Sequence, residues 1–536
     1  MRRLLLLATA VLAGYVAGCG GGGSGPTPPP PNVGFSNASL KGQYAFSMSG
    51  VDLTGAYLAR TGSFIADGNG NITGGIEDVV SLASGGGASL VSFTAGTYQI
   101  QSNGRGLVAF QTSSGGVLTL NMSMASVSHG FLVQTADNNA DLTGTSSGSF
   151  NLATTADFAN TTLNGKYVFD FSGVSLGVTT AAPISIIGEF GADGAGNVTA
   201  GLQDTNDGNV AAPSGPTAIT PGTFALDTTT NGSGFGRGTM AFGGRSFAFY
   251  IVDNTRIKVI EEDLLGGSSG DAVLQVNTIP AANSAFTGSF TYLLGGAAVR
   301  VNVGNQGPDS RVARFTADGN GNIAAISYDE NDAGGYNHIS QGTNISKATY
   351  AIDIANGGTG RGTFTFTDAS SGTFSYIFYA SSATQFVLQD ISAGLIADGS
   401  MLTQSPGPYT LAGSAGNYSF NWSGVQLGSN TAVPFEEDFA GQYVLSSASS
   451  NNVTGVVDYV ELGLNGNNLF TGVGLTGVLT IAGDGTNNNN LKILLAGSPT
   501  TTITFQAYFA TPTTMFLLSS DSTRTTAGIA TGQTTP

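Results

Sequence analysis

Gly42-Gln43-Tyr44-Ala45-Phe46, Gly165-Lys166-Tyr167-Val168-Phe169, Gly288-Ser289-Phe290-Thr291-Tyr292 and Gly416-Asn417-Tyr418-Ser419-Phe420 are four versions of one phrase, spaced by 123, 123 and 128 residues in a chain of 536. A period of two puts the aromatics on one face of a strand. The same face continues at Met48, Phe171, Leu294 and Trp422. Repetition at this spacing is far longer than a solenoid unit of roughly 20 to 50 residues. Each copy is long enough to bury a core of its own.

Working outward, each of the first three copies repeats two turns. Phe64-Ile65-Ala66-Asp67-Gly68-Asn69-Gly70-Asn71-Ile72 reads as strand, turn, strand, and equivalents begin at Phe190 and Phe315. Asp-Gly between apolar runs is a strong hairpin signal. Gly104-Arg105-Gly106, Gly236-Arg237-Gly238 and Gly360-Arg361-Gly362 each stand between alternating strands. Copies close on Gly270/Gln275, Gly399/Gln404 and Gly528/Gln533, with Gly144/Ser149 taken as the counterpart in copy one. The fourth copy has drifted. It keeps Asn452-Val453-Thr454-Gly455 but has lost both turns, and Gly483-Asp484-Gly485-Thr486 stands in place of the second.

Copy one predicts about eight strands, near 43–49, 59–66, 72–82, 97–101, 107–111, 118–122, 131–134 and 147–152. All connections read as hairpins, with no room for a crossover helix. The expected fold is therefore all-β: four tandem antiparallel domains of about eight strands, up-and-down β-barrels that remove their own edges, with β-sandwiches as the alternative. The repeats occupy 37–158, 159–281, 282–408 and 409–536, joined like beads on a string.

Residues 1–18 read as a lipoprotein signal peptide: Arg2 and Arg3, an apolar run from Leu4 to Val16, then small residues. Val16-Ala17-Gly18-Cys19 resembles a bacterial lipobox, which implies that Cys19 is lipidated and becomes the new N-terminus. Gly20 follows, with no aspartate, and the resemblance implies passage to the outer membrane. Residues 19–36 are then the lipidated cysteine and a Gly/Pro-rich tether. Cys19 is the single cysteine of the chain, so disulfides are excluded and packing must hold the domains.

Charged residues make up 10% of the chain. Without Arg2 and Arg3, 15 basic residues face 34 acidic ones, leaving a net charge near −19. A field of that sign repels nucleic acid. The expected partners are the membrane, through the lipid, and an unidentified surface or extracellular ligand.

Leu-x-Gly-x-Tyr-x-Phe, Asp-Gly-x-Gly-Asn and Gly-Arg-Gly behind a lipobox together resemble the repeat lipoproteins of soil bacteria, notably acidobacterial ones. The resemblance covers the whole mature chain and implies location and architecture but no activity. The opening Gly-x-Tyr also resembles the Gly-x-Trp that begins lipocalin- and avidin-type barrels.

No catalytic set emerges, and no cofactor is expected. The two histidines, His129 and His338, fall at non-equivalent places and read as surface or turn residues. Glu261-Glu262-Asp263 and Glu436-Glu437-Asp438 read as solvated strand ends or loops. The candidate metal ligands are Asp67, Asn69 and Asn71, with Asp318, Asn320 and Asn322. Alternate oxygen ligands resemble half a calcium loop, but Ile72 and Ile323 stand where a glycine is needed, and the hairpin reading is preferred. Arg105, Arg237 and Arg361 read as structural turn arginines, paired with the Asp-Gly aspartates Asp67, Asp193 and Asp318. The functional expectation is a non-catalytic surface lipoprotein, structural, adhesive or binding. The alternatives are a carrier of small apolar ligands inside lipocalin-like barrels and an enzyme of polysaccharide turnover.

Overall fold

The computed structural model describes residues 34–536 apart from 139–141, 178–180, 229–231, 277, 300–306, 341–344, 357, 370–371, 393, 428–434, 447–450, 464–465, 483–488 and 498–500. The signal peptide, Cys19, the tether through Val33 and most of the Gly483 segment lie outside the described residues, whereas Phe35, assigned to the tether, is buried in the first core.

The first repeat forms eight strands: Lys41–Asp52, Tyr57–Asp67, Asn71–Ser81, Ala88–Ile100, Arg105–Thr112, Val117–Met124, His129–Asp137 and Gly144–Leu152. Each pairs antiparallel with the next, and the last pairs with the first, closing a barrel. The fourth strand starts nine residues earlier than its sequence suggests, because a polar stretch without strict alternation still completes the ladder to Asn71–Ser81.

Closure recurs in the second and fourth repeats but not in the third. In the second repeat the fourth strand is split into Ser214–Ile219 and Gly222–Leu226. Pro221 stands in the break, where it cannot donate to a ladder. Strand Asn197–Asp207 still bonds on both sides and completes the circle. The third repeat is split at the same place, and its edge strands Gly335–Ser340 and Ile345–Ile352 leave the sheet open. One bridge, Asn322 to Thr349, laces that side. The fourth repeat closes through Gly416–Gln426 and Arg524–Gly532.

Inward aromatics fill the interiors. Phe93 and Phe110 stack at 4.3 Å in the first barrel, Phe169 and Phe171 at 4.8 Å in the second, Phe364 and Tyr376 at 4.5 Å in the third, and Phe420 and Trp422 at 3.8 Å in the fourth. These rings occupy the space in which a lipocalin-like barrel would hold its ligand. Towards one end, three barrels replace apolar contacts by a buried arginine. Arg60 is bound by Glu77 and Asp137, Arg311 by Asp309, Glu330 and Asp390, and Arg524 by Glu437. Ile186 occupies the position of Arg60 in the second barrel, where it pairs with Phe171 as Arg60 pairs with Met48.

Where the last strand meets the first, glycine is a steric requirement. A Cβ on Gly148, Gly270, Gly399 or Gly528 would stand 2.0, 1.8, 2.2 or 2.1 Å from a carbonyl oxygen of the first strand. This corrects the counterpart in copy one: Gly148, opposite Met48, matches Gly270 opposite Phe171, and Ala153 replaces the closing glutamine.

The barrels are not separate beads. Each chain exit donates a backbone hydrogen bond to the next barrel: Thr154 to Val252 at 2.7 Å, Val276 to Ser381 at 2.9 Å, and Ser405 to Ala510 at 2.8 Å. Thr534 donates to Ala125 of the first barrel at 2.9 Å, so the four close into a ring. The sequence reads as beads because outward strand faces carry short polar and apolar side chains that resemble a solvated surface. In the ring these faces pack on each other, as in the cluster Ala45, Ile76, Tyr250 and Val252.

Gly270→Ala should therefore lower the melting midpoint sharply, costing about 3 kcal/mol. Gly55→Ala, at a turn with φ +80° and open space around it, should cost about 1 kcal/mol. Equal shifts in a calorimetric scan would contradict the steric account.

Candidate functional site: the seams and the axial cavity

Gly-Arg-Gly acquires its meaning at the seams between barrels. Gly104, Gly236 and Gly360 adopt φ of +87°, +69° and +73°, which reverses the chain in a conformation glycine favours. The second glycine faces inward against a core side chain: a Cβ on Gly238 or Gly362 would lie 2.3 Å from Phe249 or Phe378. Alternation then sends the intervening arginine outward.

Each arginine grips an aspartate of the preceding barrel. Arg237 donates from Nε and Nη2 to Asp78 at 2.7 and 2.9 Å. Arg361 makes the same fork on Asp204 at 2.8 and 2.9 Å. Arg105 holds Asp458 at 3.1 and 2.5 Å, across the seam where the ring closes. Cross-strand neighbours of two arginines, Tyr250 and Tyr379, add phenol hydrogen bonds to Asp78 and Asp204 at 2.6 and 2.7 Å. In the first barrel Ser123 replaces the tyrosine opposite Arg105, and bonds Ser419 Oγ at 2.7 Å.

The expected partners Asp67, Asp193 and Asp318 are corrected by this geometry. Asp67 Oδ1 accepts the backbone N–H groups of Asn69 and Asn71 at 2.6 and 3.0 Å, and Oδ2 accepts Asn71 Nδ2 at 2.7 Å. Asp318 repeats the arrangement with Asn320 and Asn322. Asp193 does so with Ala195 and Asn197, which explains why alanine is tolerated: the turn uses that residue's backbone. These bonds hold the Asp67 carboxyl down to about 2. Both oxygens serve the hairpin, and Asn69, Asn71, Asn320 and Asn322 act as its donors.

The fourth barrel lacks the arginine, and its seam with the third is built differently. Tyr508 still bonds Asp329. The missing cation is supplied from the third barrel itself: His338 Nδ1 lies 2.8 Å from Asp329, beside the Tyr336 hydroxyl at 2.5 Å. The carboxylate raises the His338 pKa above its ordinary value. His129 sits at the seam of barrels one and two, with Nδ1 3.2 Å from both the Phe150 carbonyl and Asn151 Nδ2. Burial, with Lys258 and Arg256 nearby, lowers it to about 4. Neither histidine is the plain surface residue expected from sequence.

The acidic triplets are corrected in part: Asp263 stays in the loop after Arg256–Glu261, accepting from the Ser246 and Leu265 backbone N–H groups, but its neighbours do not. Glu261 is buried in the second barrel and bound by Arg245 and Ser268, while Glu262 accepts from Arg237 at 2.6 Å. Glu437 is buried against Arg524, and Asp438 accepts from Thr145 Oγ1 of the first barrel at 2.7 Å. Burial pushes Glu261 and Glu437 up to about 7. Strand alternation explains the placement: Ile257, Val259 and Glu261 form one inward row.

On the ring axis the outward faces of first and last strands meet around a cavity of about 430 Å³. All four barrels contribute to its wall, through residues such as Ser47, Asp170, Ser400 and Asn421. Lys258 is fully buried beside it, bonding Ser47, Ser149 and Asp271 at 3.1–3.3 Å. Burial raises Asp170 well above the usual carboxylate range, with the Asp398 carboxyl beside it, and raises Asp398 to about 6. Sequence reasoning missed this site because its residues are isolated serines and aspartates spread over the whole chain.

No protein-family model matches the chain, and no curated protein matches it. Among solved structures, the chain is similar to the vaccine antigen transferrin-binding protein B of Haemophilus parasuis, with 10% identity and a TM-score of 0.20 over 78% of this chain and 86% of that one. A Bacteroides fragilis chain classed with outer membrane proteins gives 15% identity and a TM-score of 0.13, over 47% of this chain and 100% of its own. Scores this low carry no argument about function.

Two outcomes follow. Removing Arg237 leaves Asp78 buried without its cation, so Arg237→Ala and Asp78→Ala should each cost about 3–5 kcal/mol and couple strongly in a double-mutant cycle. Arg237→Ala and Asp193→Ala should be additive; coupling there, and none with Asp78, would contradict the seam. Second, a histidine NMR titration should show one imidazole near 4, His129, and one above 6.5, His338. A raised folded pKa contributes stability that is present below 6.5 and lost as pH rises through the folded value. Wild type should therefore lose, as pH rises above 6.5, a stability increment that His338→Ala lacks; parallel pH curves for the two would refute the role.

Proposed function

We propose that the chain is a non-catalytic lipoprotein of the cell envelope, anchored by an acylated Cys19 at the outer membrane. Its mature part presents one rigid four-barrel block as a structural, adhesive or binding module for an extracellular partner. The observation that carries this reading is the forked Arg–Asp contact, present at three of the four seams, including the one that closes the ring. A chain that commits three arginines to fixing its domains against each other is suited to presenting a defined surface. Thirteen Gly/Pro-rich residues from Gly20 to Asn32 can hold that block up to about 40 Å from the lipid.

The other readings find less support. Stacked aromatics occupy the barrel interiors that a carrier would need empty. The carboxylates that suggested a polysaccharide enzyme are engaged by Arg245, Arg237, Arg524 and Thr145. The resemblance to repeat lipoproteins supports the envelope location.

Cys19→Ala should shift the protein from the membrane fraction to the soluble one, and mass spectrometry should find an acylated N-terminal cysteine only in wild type. A Cys19→Ala protein that stays with membranes through a high-salt wash would overturn the anchor. Protease treatment of intact cells should degrade the wild-type chain; full protection would overturn outward display.

A further inference from the structure

Four cylinders packed in a ring leave a gap on their common axis, and a protein can close that gap or keep it. At the seams this chain closes gaps with large side chains: Tyr250, Tyr379 and Tyr508 are all fully buried there. On the axis it places Ser47, Ser149, Ser172 and Ser400, which stop short of one another and leave about 430 Å³. That volume lies within the range of small-molecule sites, roughly 300–1,000 Å³. The wall is made of strands in the barrel framework, so its shape is formed in advance.

The chemistry of the wall selects among ligands. Hydroxyls donate and accept, and Asp170, Asp271, Arg256, Gln385 and Asn421 add planar polar groups on several sides. The charges are balanced within the protein: Asp271 lies 3.3 Å from both Arg256 and Lys258, and the Asp170–Asp398 pair, sharing one proton, carries the second negative charge. Asp170 faces Asp398, and burial favours a proton on that pair. A charged ligand would meet no uncompensated opposite charge, and an apolar one would strand the hydroxyls. The proton that burial favours on this pair lies between the Asp170 and Asp398 carboxyls, which hydrogen-bond each other.

We propose that the axial cavity is a binding site for one small, uncharged, polyhydroxylated molecule of mono- to disaccharide size. Its hydroxyls would exchange hydrogen bonds with the serines and with Asp170 and Asn421. The site exists only when the ring is closed, because no single barrel supplies its wall. The proposal goes beyond the anchoring and display reading and does not depend on Cys19.

The test is calorimetry on the full chain, extracted in a detergent without a sugar headgroup and titrated with glucose, sucrose and trehalose. Citrate and arginine serve as charged controls. One of the sugars should bind at one molecule per chain. Ser172→Leu and Ser400→Leu, which fill the cavity without removing an ion pair, should each weaken binding at least tenfold while the melting transition is retained. Asp170→Asn keeps the shape and serves as the milder second variant. The proposal is overturned if no sugar binds, if four bind per chain, if either leucine variant binds as wild type does, or if the charged controls bind instead. Binding is read on extracted protein, so a failure here leaves the anchor standing and a failed anchor leaves this result readable.

Discussion

The forked hydrogen bond from a turn arginine to an aspartate of the preceding barrel is the constraint on which the rest of the arrangement depends. A guanidinium offers two parallel donors that match a carboxylate in one orientation. A pair of this kind fixes both the distance and the rotation of one barrel against its neighbour. Repeated at three seams, with Tyr508 and His338 on Asp329 at the remaining one, it accompanies a ring in which the fourth barrel returns to the first. The drift of the fourth repeat then has a simple logic. It lost its arginine but kept Asp458, because Asp458 serves Arg105 across the closing seam. The aspartate left behind in the third barrel, Asp329, is met by His338 instead.

Buried ion pairs contribute little net stability against apolar replacements, since desolvation offsets most of the attraction. Their value here lies in specificity. Apolar seam clusters such as Val168, Ile187, Ile377 and Tyr379 supply much of the non-directional attraction but tolerate sliding. The charged fork does not. The same division appears inside the barrels, where aromatic rings fill most of the space and Arg60, Arg311 and Arg524 bind carboxylates towards one end.

Much of the fold was legible in the sequence. Alternating aromatics after glycine marked the first strand of every copy, and Asp-Gly and Gly-Arg-Gly marked turns that the structure contains. The seam was harder to read, although its signal is present: Asp78, Asp204 and Asp329 each stand eleven residues after an Asp-Gly aspartate. In a tandem repeat every copy offers the same residues, so spacing alone cannot distinguish a contact within a copy from one between copies. The sequence therefore points Arg237 to the aspartate of its own repeat. The acidic triplets were misread for another reason. A charged residue continuing an inward row looks like a strand end until its buried counter-ion, as Arg524 is to Glu437, is brought in from a distant strand. The axial cavity had no local signature, since closure of the ring creates it.

The central claim is that four barrels form one closed body and not a string. Small-angle scattering of the extracted chain in solution tests it most directly. A compact body of this length has a radius of gyration of about 24 Å, whereas a row of four separate domains gives a value well above 30 Å. The account predicts the compact value in wild type and an increase when Arg105, Arg237 and Arg361 are replaced together by alanine. An extended wild-type chain would contradict it.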